Sequence, residues 1–268
     1  MKNKRIALIH DYLLEYGGAE RVLEALHELY PDAPVYTSFI DRDRLGIHAS
    51  RFKDWDIRET WITKLPFYKA LHSPYRLFAP KAFADLDLSD FDVVISSSNA
   101  YYAKAVSVPG GVHICYCHTP PRSLYGYSTT FDWKQHPVMR FFGSLINHYL
   151  RVVDFQIAQR VDYFITNSAE TAARIRKFYR RDATVIYPPV SIPDRPPAIP
   201  ASKKKNSYYL YVNRLAYAKH PELAVMACTE LRLPLKIAGD GKIRPYLESI
   251  AGPTVEFLGS VSDETLDD

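Results

Sequence analysis

Ile6-Ala7-Leu8-Ile9-His10-Asp11-Tyr12-Leu13-Leu14-Glu15-Tyr16-Gly17-Gly18-Ala19-Glu20-Arg21 passes from a short apolar run through a polar turn and a Gly pair into a helical pattern. The apolar run closed by His10-Asp11 reads as a strand over Arg5–His10, buried on both faces as in a parallel sheet. The Gly pair opening a helix over Ala19–Leu29 lets backbone N–H groups approach an anion, with the helix dipole adding attraction. An ordinary turn closing a βα unit is the alternative reading of Gly17 and Gly18. The basic start before the strand is not read as a signal peptide, because the apolar run ends before it reaches the roughly 7–15 residues of a secretory core.

Outward from this unit the same alternation continues. Further strands are predicted at Val35–Phe39, Asp92–Ser96, Val112–Cys117, Tyr163–Thr166 and Thr184–Tyr187. Helices are predicted at Tyr68–Phe83, Pro137–Arg160 and Ala169–Tyr179. Apolar strands separated by helices imply a mostly parallel sheet covered on both faces. The pattern then breaks at Pro188, Pro189, Pro193, Pro196, Pro197 and Pro200, followed by Lys203-Lys204-Lys205, a composition suited to an extended linker. The rhythm restarts with strands at Tyr208–Val212, Leu235–Ala238 and Val255–Leu258, helices at Pro221–Leu231 and Lys242–Ile250, and a helix start at Ser262-Asp263-Glu264. The expected fold class is α/β: one complete Rossmann-like doubly wound domain over 1–190, a linker over 191–206, and an incomplete second Rossmann-like domain over 207–268. Two such units with a cleft between them place ligands beyond the carboxyl ends of the strands. With the first strand central in a doubly wound order, Tyr208–Val212 becomes an edge of the short second unit.

Composition narrows the function. The 268 residues, 47% hydrophobic and 24% charged, exclude a disordered chain. Three cysteines cannot build a disulfide framework, so a reducing, cytoplasmic compartment is the default. A net charge of +4 is too small for a protein that lives on phosphate contacts, which argues against a nucleic-acid partner. No apolar run approaches the roughly 18 residues of a membrane span, so a soluble or peripherally attached protein is expected.

Three further stretches carry chemistry. Cys115-Tyr116-Cys117-His118-Thr119-Pro120-Pro121-Arg122 closes a predicted strand. Cys-x-Cys-His lacks the spacing and fourth ligand of a tetrahedral zinc site, and residues two apart on a strand share a face. Cys115 and Cys117 therefore read as core, and no metal is assigned. His118 stands where the strand gives way to the ligand-facing loop, and a neutral imidazole there suits a sugar hydroxyl or a developing charge. Val212-Asn213-Arg214-Leu215-Ala216-Tyr217-Ala218-Lys219 places two cations around the next βα turn, where both suit a diphosphate. A pair of surface cations is the alternative. Ile237-Ala238-Gly239-Asp240-Gly241 sets two glycines where a backbone approaches a nucleotide. No GxGxxG is present, which speaks against a nicotinamide cofactor.

Together these stretches resemble the retaining GT-B glycosyltransferases of family 4, the glycosyl transferase group 1 type. Within that family they are most similar to bacterial mannosyltransferase-like members of polysaccharide gene clusters. The Gly17-Gly18 loop looks like the family's acceptor-side loop, and Thr166-Asn167-Ser168-Ala169-Glu170-Thr171 resembles its Asn-Ser turn. His118 matches the histidine that contacts the transferred sugar, a catalytic role. Arg214 and Lys219, in Asn-Arg-Leu-x4-Lys, fall on the Gly-Arg-Leu-x4-Lys whose cations hold the donor diphosphate; Asn213 stands where the family has Gly. Gly239 and Gly241 fall on the nucleotide-side loop. The resemblance implies transfer of a hexose, mannose in the nearest relatives, from a GDP- or UDP-linked donor to a glycan or lipid-linked acceptor. It implies retention of configuration, with no cofactor and no required metal. The family's donor site ends in a Glu-x7-Glu motif whose carboxylates engage the sugar and ribose, and the chain is expected to stop before that part of the second domain. The chain alone is therefore expected to transfer weakly. The alternative expectation is a non-catalytic binding or assembly protein, completed by a second copy or another chain.

One segment bears on the acceptor. Lys64 to Lys81 carries Lys64, Lys69, Arg76 and Lys81 among aromatics and no acid, which suits anionic lipid on the inner face of the plasma membrane. An ordinary half-buried helix with lysines snorkelling outward is the preferred reading of the same features. The basic stretch Arg174–Arg181 is explained by favourable cations at a helix C-terminus.

Overall fold

The structure is a computed structural model that describes residues 4–127, 137–190 and 207–261. The helix start at Ser262-Asp263-Glu264 and the linker residues 191–206 lie outside the described residues. The described chain divides into two compact units, one of residues 4–127 with 137–190 and one of residues 207–261.

In the first unit the elements run β1 (Ile6–His10), α1 (Gly18–Leu29), β2 (Val35–Thr37), α2 (Arg42–Leu45), β3 (Ile57–Glu59), α3 (His72–Tyr75), α4 (Ala79–Ala84) and β4 (Val93–Ser98). They continue with β5 (Val112–Cys117), α5 (Pro137–Arg160), β6 (Tyr163–Thr166), α6 (Ala169–Tyr179) and β7 (Ala183–Val185). The strands form one sheet in the order β3-β2-β1-β4-β5-β6-β7. Every pairing in it is parallel. The order reverses between β1 and β4, the switch point at which doubly wound sheets open a crevice.

The period of two along β1 explains the double covering. Ala7 and Ile9 pack on one face with Phe83, Ala103, Leu150 and Ile157, while Leu8 packs on the other with Leu23, Val35 and Phe52. Cys115 and Cys117 share a third cluster with Ala158, Ile175 and Tyr179, as two strand residues on one face must. A buried ion pair ties the loop after β4 to α5: Lys104 Nζ lies 2.7 Å from Asp154 Oδ1, and the Tyr125 hydroxyl donates to Asp154 Oδ2 at 2.9 Å. Burial presses Lys104 toward its neutral form, but the adjacent carboxylate outweighs this and keeps the ammonium charged.

The second unit is a parallel sheet ordered β10-β9-β8 among the described residues, from β8 (Tyr209–Val212), β9 (Leu235–Ala238) and β10 (Val255–Gly259). Helices α7 (Pro221–Glu230) and α8 (Arg244–Ile250) accompany it, and Val225 and Leu247 meet Leu235 and Ile237 in its core. Among the described residues β8 is an edge strand of this sheet.

One predicted element is corrected. Tyr68–Phe83 is not a single helix but two short ones, α3 and α4, preceded by Phe67 at φ 52°. Pro74 and Pro80 lack the N–H that a continuous helix needs, and Pro80 sits in the first turn of α4, where that loss is harmless. The expected cation face is also largely engaged. Lys69 pairs with Asp41 at 3.3 Å, Lys81 with Asp85 at 2.8 Å, and Arg76 donates to Ser123 Oγ at 3.2 Å. The edge strand β3 and the single-turn helix α2 were not foreseen, since three or four residues carry too little periodicity. No helix among the described residues is long and apolar enough to cross a membrane.

Candidate functional site

The carboxyl ends of β1, β4 and β5 bring polar side chains together. β1 ends on His10, β4 on Ser96-Ser97-Ser98, and β5 runs directly into His118. His10 is 2% exposed and Ser97 0%, so their polar atoms must find partners within the protein. They find each other. His10 Nδ1 lies 3.0 Å from Ser97 Oγ, and Ser97 Oγ lies 2.8 Å from His118 Nε2. On the other side His10 Nε2 faces Glu20 Oε1 at 3.4 Å. Glu20 belongs to the first turn of α1, and its Oε2 accepts from the N–H of Gly17 at 2.8 Å. A single network thus joins the Gly17 turn to His118.

The electrostatics follow from burial and contact. Burial alone would raise the Glu20 carboxyl, but the His10 hydrogen bond and the local N–H groups hold it below its ordinary value. Burial pushes His118 down to about 4, and the neighbouring His10 adds to this, so His118 is a neutral imidazole at physiological pH. Beside the network, Asp11 fixes the loop after β4. Its carboxylate accepts from the backbone N–H groups of Asn99 at 2.8 Å, Tyr101 at 2.9 Å and Ala103 at 2.8 Å.

His118 is also held from behind. Its N–H donates to Ser98 O at 3.0 Å, and its carbonyl accepts from Asn167 Nδ2 at 3.0 Å and Thr171 Oγ1 at 3.4 Å. Ser168 caps α6 by accepting from the Thr171 N–H at 3.2 Å. The Thr166–Thr171 motif therefore works as a clamp on the backbone of His118. Gly18 begins α1, and a Cβ added there would meet nothing within 4 Å.

In the second unit Arg214 and Lys219 lie on the loop between β8 and α7, and both are exposed. Lys219 ends a 3-10 turn, and its carbonyl accepts from the Tyr211 hydroxyl at 3.1 Å. Gly239 and Gly241 follow β9 and lie against this same loop. A Cβ on Gly239, at φ +139°, would stand 1.9 Å from Asn213 O, and one on Gly241 would stand 2.0 Å from Leu215 O. Backbone bonds close the contact: Asn213 N–H donates to Ala238 O at 3.1 Å and Leu215 N–H to Asp240 O at 2.9 Å. Asn213 does not adopt a positive φ. The structure thus joins Gly17 to His118 through the network of the first unit, and Gly239 and Gly241 to the Arg214 loop within the second.

Sequence reading had not singled out His10, Asp11, Glu20 and Ser97 as site residues. The signal was present in the polar ends of strands otherwise apolar, His10-Asp11 on β1 and the three serines of β4.

A family model described as Glycosyltransferase Family 4 matches residues 16–192, more than half of the chain. Among solved structures, a lipopolysaccharide outer core galactosyltransferase, WaaB in its apo form, is 16% identical with a TM-score of 0.58, covering 97% of this chain and 69% of that one. Anabaena HepE in complex with UDP and glucose is 14% identical with a TM-score of 0.56, covering 97% of this chain and 70% of that one. A glycosyltransferase from Rickettsia africae is 15% identical with a TM-score of 0.54, covering 97% and 69%. No curated protein matches. At these identities the structural likeness speaks for the fold, GT-B, and the family match for the lineage. The chain belongs to glycosyltransferase family 4.

Proposed function

We propose that this protein takes part in transferring a hexose, mannose in our reading, from a GDP- or UDP-linked donor to a glycan or lipid-linked acceptor in polysaccharide synthesis, with retention of configuration. The observation that carries the reading is the network ending on His118, which lies within the residues matched to the family and at the switch point of the sheet. A neutral imidazole suits a sugar hydroxyl, since it brings no charge to be compensated. The complex of HepE with UDP and glucose supports a nucleotide-sugar ligand for this fold.

The roles divide by chemistry. His118 orients the transferred sugar, and the Gly17-Gly18 turn shapes the acceptor side of the first unit, residues 1–190. Arg214 and Lys219 of the second unit, residues 207–268, neutralise charge growing on the leaving diphosphate. Electrostatic stabilisation of this kind contributes about 3–4 kcal/mol per well-placed donor group in known enzymes. Gly239 and Gly241 form the nucleotide-side turn and hold the Arg214 loop in place by their missing side chains.

Calorimetric titration with GDP, UDP and ADP tests this reading. One nucleotide should bind in preference to the others, and Arg214→Ala and Lys219→Ala should each weaken it about tenfold or more, since each removes a hydrogen bond to a charged group. Equal binding of all three, or binding indifferent to both substitutions, contradicts it.

A further inference from the structure

The network of the first unit fixes proton positions as well as side chains. Glu20 Oε2 is occupied by the Gly17 N–H at 2.8 Å, and Oε1 faces His10 Nε2 at 3.4 Å. An ionised carboxylate only accepts, so a His10 ring bearing a single proton holds it on Nε2, with a lone pair on Nδ1. The Ser97 hydroxyl, 3.0 Å from Nδ1, gives its single proton to that lone pair. Its oxygen then faces His118 Nε2, at 2.8 Å, as an acceptor. His118 must place its own proton on Nε2, which leaves Nδ1 bare. Among the described residues nothing hydrogen-bonds to His118 Nδ1, and His118 is partly exposed where Glu20, His10 and Ser97 are buried.

We propose that Glu20, acting through His10 and Ser97, is a positioning residue that sets the tautomer of His118, so that His118 meets its ligand as a hydrogen-bond acceptor. The groups it takes are then donors such as sugar hydroxyls, while a carboxylate placed there meets a lone pair and is rejected. The relay rests on the geometry of the first unit; the identity of the ligand rests on the proposed glycosyltransferase reading.

The relay has a sharp consequence in Glu20→Gln. The Gly17 N–H needs an acceptor and claims the amide oxygen, which turns the amide NH2 toward His10 Nε2. His10 must then protonate Nδ1, Ser97 must accept from it and donate to His118 Nε2, and His118 must move its proton to Nδ1. Every link reverses while every side chain keeps its place. A merely structural role for Glu20 would not move a proton on a ring three links away along the network.

Long-range 1H–15N correlation spectra of the full chain with 15N-labelled histidine read this directly, at a pH above the ordinary histidine value of about 6.5. His118→Gln assigns the signal. The expected results are the Nε2–H tautomer in the unsubstituted protein, the Nδ1–H tautomer in Glu20→Gln, and loss of that response when Ser97→Ala interrupts the relay. Adding a nucleotide sugar that binds should shift the Nδ1 resonance while the proton stays on Nε2. An Nδ1–H tautomer in the unsubstituted protein, or a folded Glu20→Gln protein with an unchanged tautomer, overturns the proposal. The unsubstituted spectrum decides alone if Glu20→Gln does not fold. Failure of every nucleotide sugar to bind, with the tautomer pattern as expected, would sink the functional reading and leave the relay standing.

Discussion

His113 shows what burial does to a titratable side chain in this fold. It sits 3% exposed on β5, with Nε2 2.8 Å from Ser96 Oγ. Burial holds its pKa at about 4 instead of 6.5. The sign of the consequence is fixed: below pH 6.5 the unfolded chain takes up a proton that folded His113 refuses until about 4. Its contribution to stability is therefore complete above 6.5 and declines as the pH falls toward 4, by ~1.4 kcal/mol per pH unit for such a group. Urea unfolding followed across this range should show the decline, and His113→Gln should flatten it. An identical slope in the variant would show that His113 is not its source. His118 adds a smaller share because it is partly open to solvent.

Elements with a strong period were legible in the sequence, and weak ones were not. β1, α1, β5, α5 and α6 follow from apolar runs and helical spacing. Tyr68–Phe83 misled because its aromatics repeat at helical intervals while Pro74 and Pro80 deny the backbone bonds. In the same way, two glycines after a strand announce a close approach without naming what approaches. At Gly239 and Gly241 the neighbour in this structure is the backbone of Asn213 and Leu215. Gly239→Ala and Gly241→Ala should therefore each destabilise the second unit by about 1–3 kcal/mol or more, as overpacking does. Gly18→Ala, with open space around it, should leave stability unchanged or raise it slightly. Thermal denaturation of the three variants checks this; a Gly241→Ala protein as stable as the parent would mean that the loop yields freely.

For the whole molecule, the order of motifs along the chain was legible where the partnerships between them were not. The sequence places His118 after a strand and Asn167 after the next, but only the parallel pairing of β5 with β6 brings the Asn167 side chain to the His118 carbonyl. Likewise Ser97 is 87 residues from His10 and meets it because β1 and β4 are neighbours at the switch point, while Glu20 reaches His10 through the short β1–α1 turn. Under the proposed function the sugar meets His118 and the diphosphate meets Arg214 and Lys219. Its most direct test is a calorimetric comparison of a nucleotide sugar with the matching nucleotide diphosphate, on the parent protein and on His118→Ala. The account predicts that the sugar strengthens binding in the parent, and that His118→Ala removes this increment while leaving the affinity for the nucleotide itself intact. A sugar increment that survives in His118→Ala would contradict it.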